Sequence, residues 1–323
     1  MSLARPGGEV DVSVLVPAKD EAENLPEFVR LCAEAFRDLP YTCEVVVVDD
    51  GSQDDSAAVL GRLATEQPFL RVVTHRTQRG IAEALRSAGD AARGRIFVFY
   101  PADLQFLPEE IPSLVGPILA GAADIVTGTK QGAYEKAFVS GVYNRLCRWL
   151  FGVRVTDLNA VRAYRREIMG SVPPRPDWHR FMVVIAAADG YRVRATPVKL
   201  YPRRAGKSKF GIGRIPVGVF DLLSVWFQLR FGRKPMLFFG LWGAFLLAAG
   251  FLVGIVAFVL RFGFDLGFRP LLYAVMLLML SGIVLIGVGF LGETVAGTRD
   301  EVRALSRAVE QLSESLERRD RKG

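Results

Sequence analysis

The sequence predicts an α/β fold: a mostly parallel sheet with helices on both faces, followed by two helices able to cross a membrane. Three observations carry that reading. Apolar, β-branched runs alternate with stretches of helical periodicity through the first 210 residues. Acidic or polar residues stand directly after three of those runs. Two long segments, 236–260 and 271–292, carry no charged residue until they end.

The elements follow in order. "DVSVLVP" (11–17) reads as a buried strand bounded by Pro17, and "EAENLPEFVRLCAEAF" as a helix. "CEVVVVDDGSQDD" is a second buried strand that ends in acids and a Gly-Ser turn. "SAAVLGRLATEQ" is a helix, "LRVVTH" a strand, and "RGIAEALRSAGDAARG" a helix. "RIFVFYPADLQ" and "ADIVTGT" are the fourth and fifth strands. Continuous apolar strands separated by helices belong to a parallel sheet covered on both faces. Ligands of such sheets bind beyond the carboxyl ends of the strands. The residues at those ends are Lys19, Asp20 and Glu21; Asp49 and Asp50; and Asp103 and Gln105. Neither G-x-G-x-x-G after the first strand nor G-x-x-x-x-G-K-[ST] occurs, which argues against the dinucleotide and P-loop classes.

The chain has 323 residues, half of them apolar, and a formal net charge of +7. The uncharged segments reach roughly 37 and 33 Å as helices, enough for a hydrocarbon core of ~30 Å. Two soluble core helices are the alternative; the length of the runs and their lack of a polar face argue against it. No apolar leader precedes the first strand, so the reading carries no signal peptide. Arg230, Arg233 and Lys234 flank the first span, and Arg299 and Arg303 follow the second. The positive-inside rule then places the catalytic domain and both termini in the cytoplasm. Beside two spans, the basic balance points to lipid headgroups and phosphates, not nucleic acid. Cys32, Cys43 and Cys147 have no metal spacing and read as reduced packing residues. The expected organisation is 1–210 catalytic, 211–235 amphipathic and interfacial, 236–292 spanning, and 293–323 a charged helical tail. In that tail Val302, Leu305, Val309, Leu312 and Leu316 form an a/d seam of about three heptads. The seam suits a coiled coil in a homo-oligomer, a tetramer among the options, or a helix packed on its own domain.

Motifs narrow the reading. "VSVLVPAKDEAENL", "EVVVVDDGSQDDS" and "ADLQFLPEEI" resemble glycosyltransferase family 2. "VTDLNAVRAYRRE", "HRFMVVIAAADGYRV" and "YPRRAGKSKFG", followed by two spans, resemble its polyprenyl-phosphate glycosyltransferases of the dolichyl-phosphate mannosyltransferase type. The resemblance covers about residues 11–295. It implies a GT-A fold and inverting transfer of a sugar from a nucleotide diphosphate to a polyprenyl phosphate, undecaprenyl or dolichyl, at the cytoplasmic membrane. It implies Mg²⁺ or Mn²⁺ as cofactor, since a divalent cation neutralises charge developing on a diphosphate leaving group. Asp103 and the Gln105 carbonyl are oxygen ligands of the type these ions take.

By resemblance, Pro17, Ala18, Glu21, Asp49, Asp50 and Asp103 hold the nucleotide. Asp157, in "TDLN", is the candidate catalytic carboxylate together with Asp103. The acceptor phosphate falls to Lys130, Lys136, Ser140, Arg203, Ser208 and Lys209, the last three in an R-x-x-G-x-S-K loop. Relatives usually carry D-x-D where this chain has Pro101-Ala102-Asp103. Two other readings stay open: a polysaccharide synthase, against which stands the missing Q-x-x-R-W motif, and a non-catalytic membrane partner with a degraded metal site. The sugar, and the choice between UDP and GDP, are open.

Overall fold

The computed structural model describes residues 3, 8–131, 145–147, 149–152, 160–172, 175, 177–202, 215–232, 234–267 and 269–320. Lys136, Ser140, Asp157, Arg203, Ser208 and Lys209 lie outside the described residues. The chain divides into two units, Met1–Leu223 and Ser224–Gly323.

The first unit is built on a sheet whose strands are β1 (Val12–Ala18), β2 (Cys43–Asp50), β3 (Leu70–His75), β4 (Ile96–Phe99), β5 (Ile125–Gln131), β6 (Arg162–Arg165) and β7 (Val193–Lys199). Their order among the described residues is β3-β2-β1-β4-β6-β5-β7. β1 pairs parallel to β2 and β4, β2 to β3, and β5 to β7. β6 runs antiparallel between β4 and β5. This is the mostly parallel, mixed sheet of the GT-A fold. The sequence reading named the first five strands and missed β6 and β7. β6 has only four residues and an arginine at each end, and β7 is a half-exposed edge. Neither shows the apolar run that marks a buried strand.

Helices α1 (Leu25–Phe36), α2 (Ser56–Glu66), α3 (Ile81–Ala91) and α4 (Ile111–Leu119) connect the strands. In α1 the buried residues are Leu25, Phe28, Val29, Cys32 and Phe36, the spacing of one helical face. They join Val12, Val14, Val16, Val45 and Val47 in one core. Short helices α5 (Arg166–Ser171) and α6 (Met182–Ala188) follow β6, and α7 (Ile215–Phe231) closes this part of the chain.

Pro17 lies inside β1, opposite Val48, and not at its exit. Tyr100 N donates to Leu15 O at 3.1 Å, so Leu15 and, two residues on, Pro17 point their amide positions to the β4 side. β4 has already ended at Phe99 there, so the missing proline N–H leaves no ladder bond unmade.

The two ends of the sheet differ in how charge is satisfied. At the amino ends, Glu44 is fully buried and accepts from Ser13 Oγ at 2.7 Å and from the Arg93 side chain at 3.0 Å. Asp124 accepts from Arg165 Nε at 3.0 Å and Arg192 Nε at 2.9 Å. The Arg192 hydrogen bonds hold its carboxyl well below the usual range. Those carboxylates staple strands together. At the carboxyl ends no arginine side chain is bonded to Asp49 or Asp50 among the described residues: Asp49 accepts from the Ser52 amide, and Asp50 from the Arg79 and Gly80 amides and from His75.

The second unit begins within α7 and contains a helical hairpin. α8 (Pro235–Gly263) has 29 residues and α9 (Arg269–Asp320) has 52. Both contain stretches long and apolar enough to cross a membrane, with mean hydropathy 2.6. Only 11% and 6% of those stretches are buried, unlike the core helices of a soluble protein. Glycines let the two helices approach. A Cβ on Gly243 would lie 2.8 Å from Gly282 O, and one on Gly282 would lie 2.8 Å from Gly243 O. Close backbone approach of this kind substitutes dispersion for a hydrophobic force that lipid does not provide. Glu293 Oε2 accepts from Met236 N at 3.2 Å and so caps the start of α8. The second span and the charged tail are one continuous helix of about 78 Å. No proline separates them in the sequence.

Candidate active site

The carboxyl ends of β1, β2, β3 and β4 gather most of the described candidate residues. Strand register places Ala18 opposite Asp49, and Asp50 opposite His75. Asp49 is 2% exposed; its Oδ1 accepts from Ser52 N at 3.0 Å. Its Oδ2 takes no hydrogen bond among the described residues. A buried carboxylate with one oxygen unengaged is suited to a ligand N–H or hydroxyl.

Asp50 has a different position. Its Oδ1 accepts from His75 Nδ1 and from Arg79 N, both at 2.8 Å, and its Oδ2 accepts from Gly80 N at 2.8 Å. His75 Nε2 in turn meets Ser87 Oγ at 2.9 Å. His75 thus bridges the Asp50 carboxylate and the Ser87 hydroxyl through its two ring nitrogens. Burial raises the Asp50 carboxyl, but the Arg79 and Gly80 amides and His75 outweigh it and lower the pKa. The chain β2–β3–α3 is thereby tied through one carboxylate. That carboxylate fixes the loop 76–80, and Gly80 adopts φ +91° where a side chain would be strained.

The loop lies on Gly51, where a Cβ would sit 2.7 Å from Gln78 N. Lys19 Nζ donates to Gln78 Oε1 at 2.6 Å across 59 residues. Asp20 N donates to Ser52 Oγ at 2.9 Å, and Asp20 Oδ1 accepts from Gln53 N at 2.8 Å. Glu21 N donates to Ser56 Oγ at 2.9 Å, and Glu21 Oε2 accepts from Asn24 Nδ2 at 2.7 Å. Asp20 and Glu21 therefore strap the end of β1 to the turn after β2.

Beyond β4 the chain makes a rigid turn. Tyr100 is fully buried and donates from its hydroxyl to Leu107 O at 2.7 Å. Leu104 adopts φ +56° and is buried with Ala102 and Phe106. Asp103, 8% exposed, accepts from Gln105 N at 3.2 Å through Oδ1. Gln105 O accepts from Tyr201 N at 2.9 Å, which pins the turn beside the end of β7. Among the described residues no three His, Cys, Asp or Glu side chains group as a metal cage. Asp103 is the single carboxylate of the turn. That suits an ion of the Mg²⁺ type, which keeps waters and takes one or two carboxylates plus substrate phosphate oxygens.

On the other side of β4, Arg162 is buried opposite Phe99. Its guanidinium carbon lies 5.2 Å from the Phe99 ring centre, and Nη1 donates to His179 O at 2.7 Å. Lys130 sits in β5 opposite Val198 of β7. Burial, with Arg162 and Arg180 beside it, depresses His179 to a pKa of about 3. The folded state then keeps His179 neutral while an unfolded one protonates near pH 6.5, so stability falls as pH drops through that window. The limiting slope is about 1.4 kcal/mol per pH unit. His179→Phe is expected to flatten thermal stability between pH 6 and pH 4; an unchanged slope would remove His179 as its source.

The described site thus brings together Pro17, Ala18, Glu21, Asp49, Asp50, Asp103 and Gln105 at neighbouring strand ends. Lys130 belongs to the β5 side of the same edge. Sequence reasoning missed His75, His179 and Gln78. One signal was readable: the chain has only two histidines, and one ends an apolar strand in "VVTH".

The family model described as glycosyl transferase family 2 matches residues 13–164. Dodecaprenyl-phosphate galacturonate synthase of Rhizobium johnstonii is 32% identical over 91% of this chain and 90% of its own. Undecaprenyl-phosphate 4-deoxy-4-formamido-L-arabinose transferase of Pseudomonas fluorescens is 31% identical over 92% and 87%. Glucosyl-3-phosphoglycerate synthase from Mycobacterium tuberculosis, solved with Mn²⁺, UDP and glucosyl-3-phosphoglycerate, shares the fold. Its TM-score is 0.54 at 20% identity, over 70% of this chain and 85% of that one. Sheet order, acid-tipped strand ends and relatives together define a glycosyltransferase. The chain belongs to glycosyltransferase family 2.

Proposed function

We propose that the protein transfers a sugar, with inversion, from a nucleotide-diphosphate sugar to a polyprenyl phosphate at the cytoplasmic face of the membrane. The observation that carries this is the extent of the similarity. It runs over 91% of the chain, hairpin included, to an enzyme named for a dodecaprenyl-phosphate product. The proposed organisation is a catalytic part over 1–210, an interfacial helix, two spans over 236–292 and a cytoplasmic tail that supports a homo-oligomer.

In this reading Asp49, Pro17, Ala18 and Glu21 shape the nucleoside site, and Asp50 acts on the donor through the loop it holds. Asp103 and Gln105 are the residues that would hold Mg²⁺ or Mn²⁺. The ion supplies positive charge against the diphosphate as it leaves. A phosphate monoester has its second pKa near ~6, so the acceptor oxygen is already an anion at neutral pH and needs no strong base. Asp157 then orients the reacting groups. Lys130, Lys136, Ser140, Arg203, Ser208 and Lys209 receive the acceptor phosphate, arginine by paired hydrogen bonds and lysine as a mobile charge.

The test is reconstitution. Purified protein is given a panel of nucleotide sugars, Mg²⁺ or Mn²⁺, and undecaprenyl or dolichyl phosphate, and the lipids are read by mass spectrometry. A lipid-linked sugar supports the reading, and the donor that yields it names the sugar. No product from any donor or either lipid class sinks it. Pro101→Asp restores the acid that relatives carry; it is expected to leave transfer intact and to lower the metal concentration for half-maximal rate. An unchanged metal requirement would place Pro101 outside the metal's surroundings.

A further inference from the structure

The turn that carries Asp103 and Gln105 follows β4 in sequence, yet its other side is fastened to β7. Consecutive amides show how. Lys199 N donates to Glu110 Oε1 at 3.3 Å, Leu200 N to Gln131 O at 3.3 Å, and Tyr201 N to Gln105 O at 2.9 Å. Along an extended strand, successive N–H groups point to opposite sides in the plane of the sheet. Leu200 faces β5, so Lys199 and Tyr201 face away from it. β7 is the last strand in the sheet order, and the turn takes up amides that a further strand would otherwise claim. Pro197, opposite Thr129, has the same phase as Lys199 and Tyr201. Its missing N–H falls on the outer edge, where no ladder bond is due.

These bonds fix Gln105 from both sides. Its N donates to Asp103 Oδ1 at 3.2 Å, and its O accepts from Tyr201 N. With both flanking peptide units held, the direction of the Gln105 side chain is set. Just before it, Leu104 adopts φ +56°, a left-handed conformation that a leucine keeps only where its surroundings hold it. Leu104 is buried, and the Tyr100 hydroxyl ties the inner side of the turn through Leu107 O at 2.7 Å. The turn is therefore anchored on the inside by Tyr100 and on the outside by β7. Residues that ligate an ion do so best when their own partners orient them.

We propose that the Tyr201 amide, assisted by Glu110 on the Lys199 amide, positions the turn that carries Asp103 and Gln105 for a divalent cation. Tyr201 and Glu110 are positioning residues: they act on the ion through the turn. This rests on the reading of Asp103 and Gln105 as the metal residues. It adds that the edge strand β7, far along the chain, completes the metal corner.

The experiment is calorimetric titration of the full-length protein in detergent with UDP and, separately, GDP, without metal and across a Mn²⁺ series. Tyr201→Pro deletes the amide at a phase where β7 already carries Pro197, and Tyr201→Ala keeps it. Tyr201→Pro is expected to raise the Mn²⁺ concentration for half-maximal nucleotide binding by about tenfold, the scale of losing a partner that orients a metal ligand. Its metal-free nucleotide affinity is expected to match wild type, and Tyr201→Ala to match wild type in both. Glu110→Ala is expected to shift the Mn²⁺ requirement in the same direction, while Glu110→Gln, which keeps an acceptor for Lys199 N, holds the wild-type value. Melting temperatures identify folded variants; should Tyr201→Pro fail to fold, the two Glu110 variants carry the test. Metal-free and Mn²⁺-dependent affinities that fall together show a merely structural role and overturn the positioning. So do equal shifts in Tyr201→Pro and Tyr201→Ala, or a wild-type Mn²⁺ requirement in both Tyr201→Pro and Glu110→Ala; the metal reading then stands. Wild-type nucleotide binding that ignores Mn²⁺ overturns the metal reading and the positioning with it.

Discussion

Asp103→Asn is expected to reduce transfer by a factor of at least ~10² while the protein stays folded. The loss of one preorganised electrostatic partner of a developing charge typically costs that much. The geometry makes asparagine a clean probe. Its Oδ1 still accepts from Gln105 N, the bond that shapes the turn in the native chain at 3.2 Å. Tyr100, Leu104 and Phe106 are buried and hold the turn without the charge. What changes is the carboxylate itself, the only one in that turn. With Pro101 in place of a second acid, no neighbouring side chain in the turn can take over. Product formation is measured by mass spectrometry across a Mn²⁺ series, and nucleotide binding by calorimetry. The substitution is expected to remove the metal dependence of nucleotide binding along with the rate. Full activity at low metal would mean that the charge at this turn is not used.

Asp50→Ala is expected to destabilise the first unit by about 3–5 kcal/mol, the cost of leaving several buried donors without their acceptor. Three donors lose their acceptor at once: His75 Nδ1, Arg79 N and Gly80 N. For a unit of this size the melting temperature should drop by roughly 10 °C. Because the same carboxylate fixes the loop 76–80, donor affinity should fall as well. The sign with pH follows from the lowered pKa of Asp50. An aspartate stabilised in its charged form contributes its full share above the unfolded value near ~3.9 and loses it as pH falls through the lower folded value. Wild type and Asp50→Ala should therefore converge in stability at low pH. Equal melting temperatures at neutral pH would show that water replaces the carboxylate without cost.

These two aspartates show where sequence reading works. Asp49, Asp50 and Asp103 each follow a buried apolar run, so the parallel-sheet pattern alone puts them at carboxyl ends. Their chemistry is less legible. Asp49 and Asp50 are adjacent and look alike in "VVVVDDGS". Alternation along a strand sends their side chains to opposite faces. One keeps an oxygen for a ligand, and the other spends both oxygens on the loop before α3. Nothing local separates them, because the partners of Asp50 lie 25 to 30 residues away.

The same division runs through the molecule. The sequence by itself determined the α/β alternation, the first five strands, the acid-tipped edge and two apolar helices, since each is written in a local period or an unbroken run. The tertiary structure alone decided the strand order with β6 reversed inside it, and the burial of Arg162 against Phe99 and the His179 carbonyl. It also decided the meeting of Lys19 with Gln78. Those depend on groups distant in the chain satisfying one another's hydrogen bonds and charge. A buried polar side chain is stable only where the fold delivers its partner, and no run of neighbouring residues records which partner that will be.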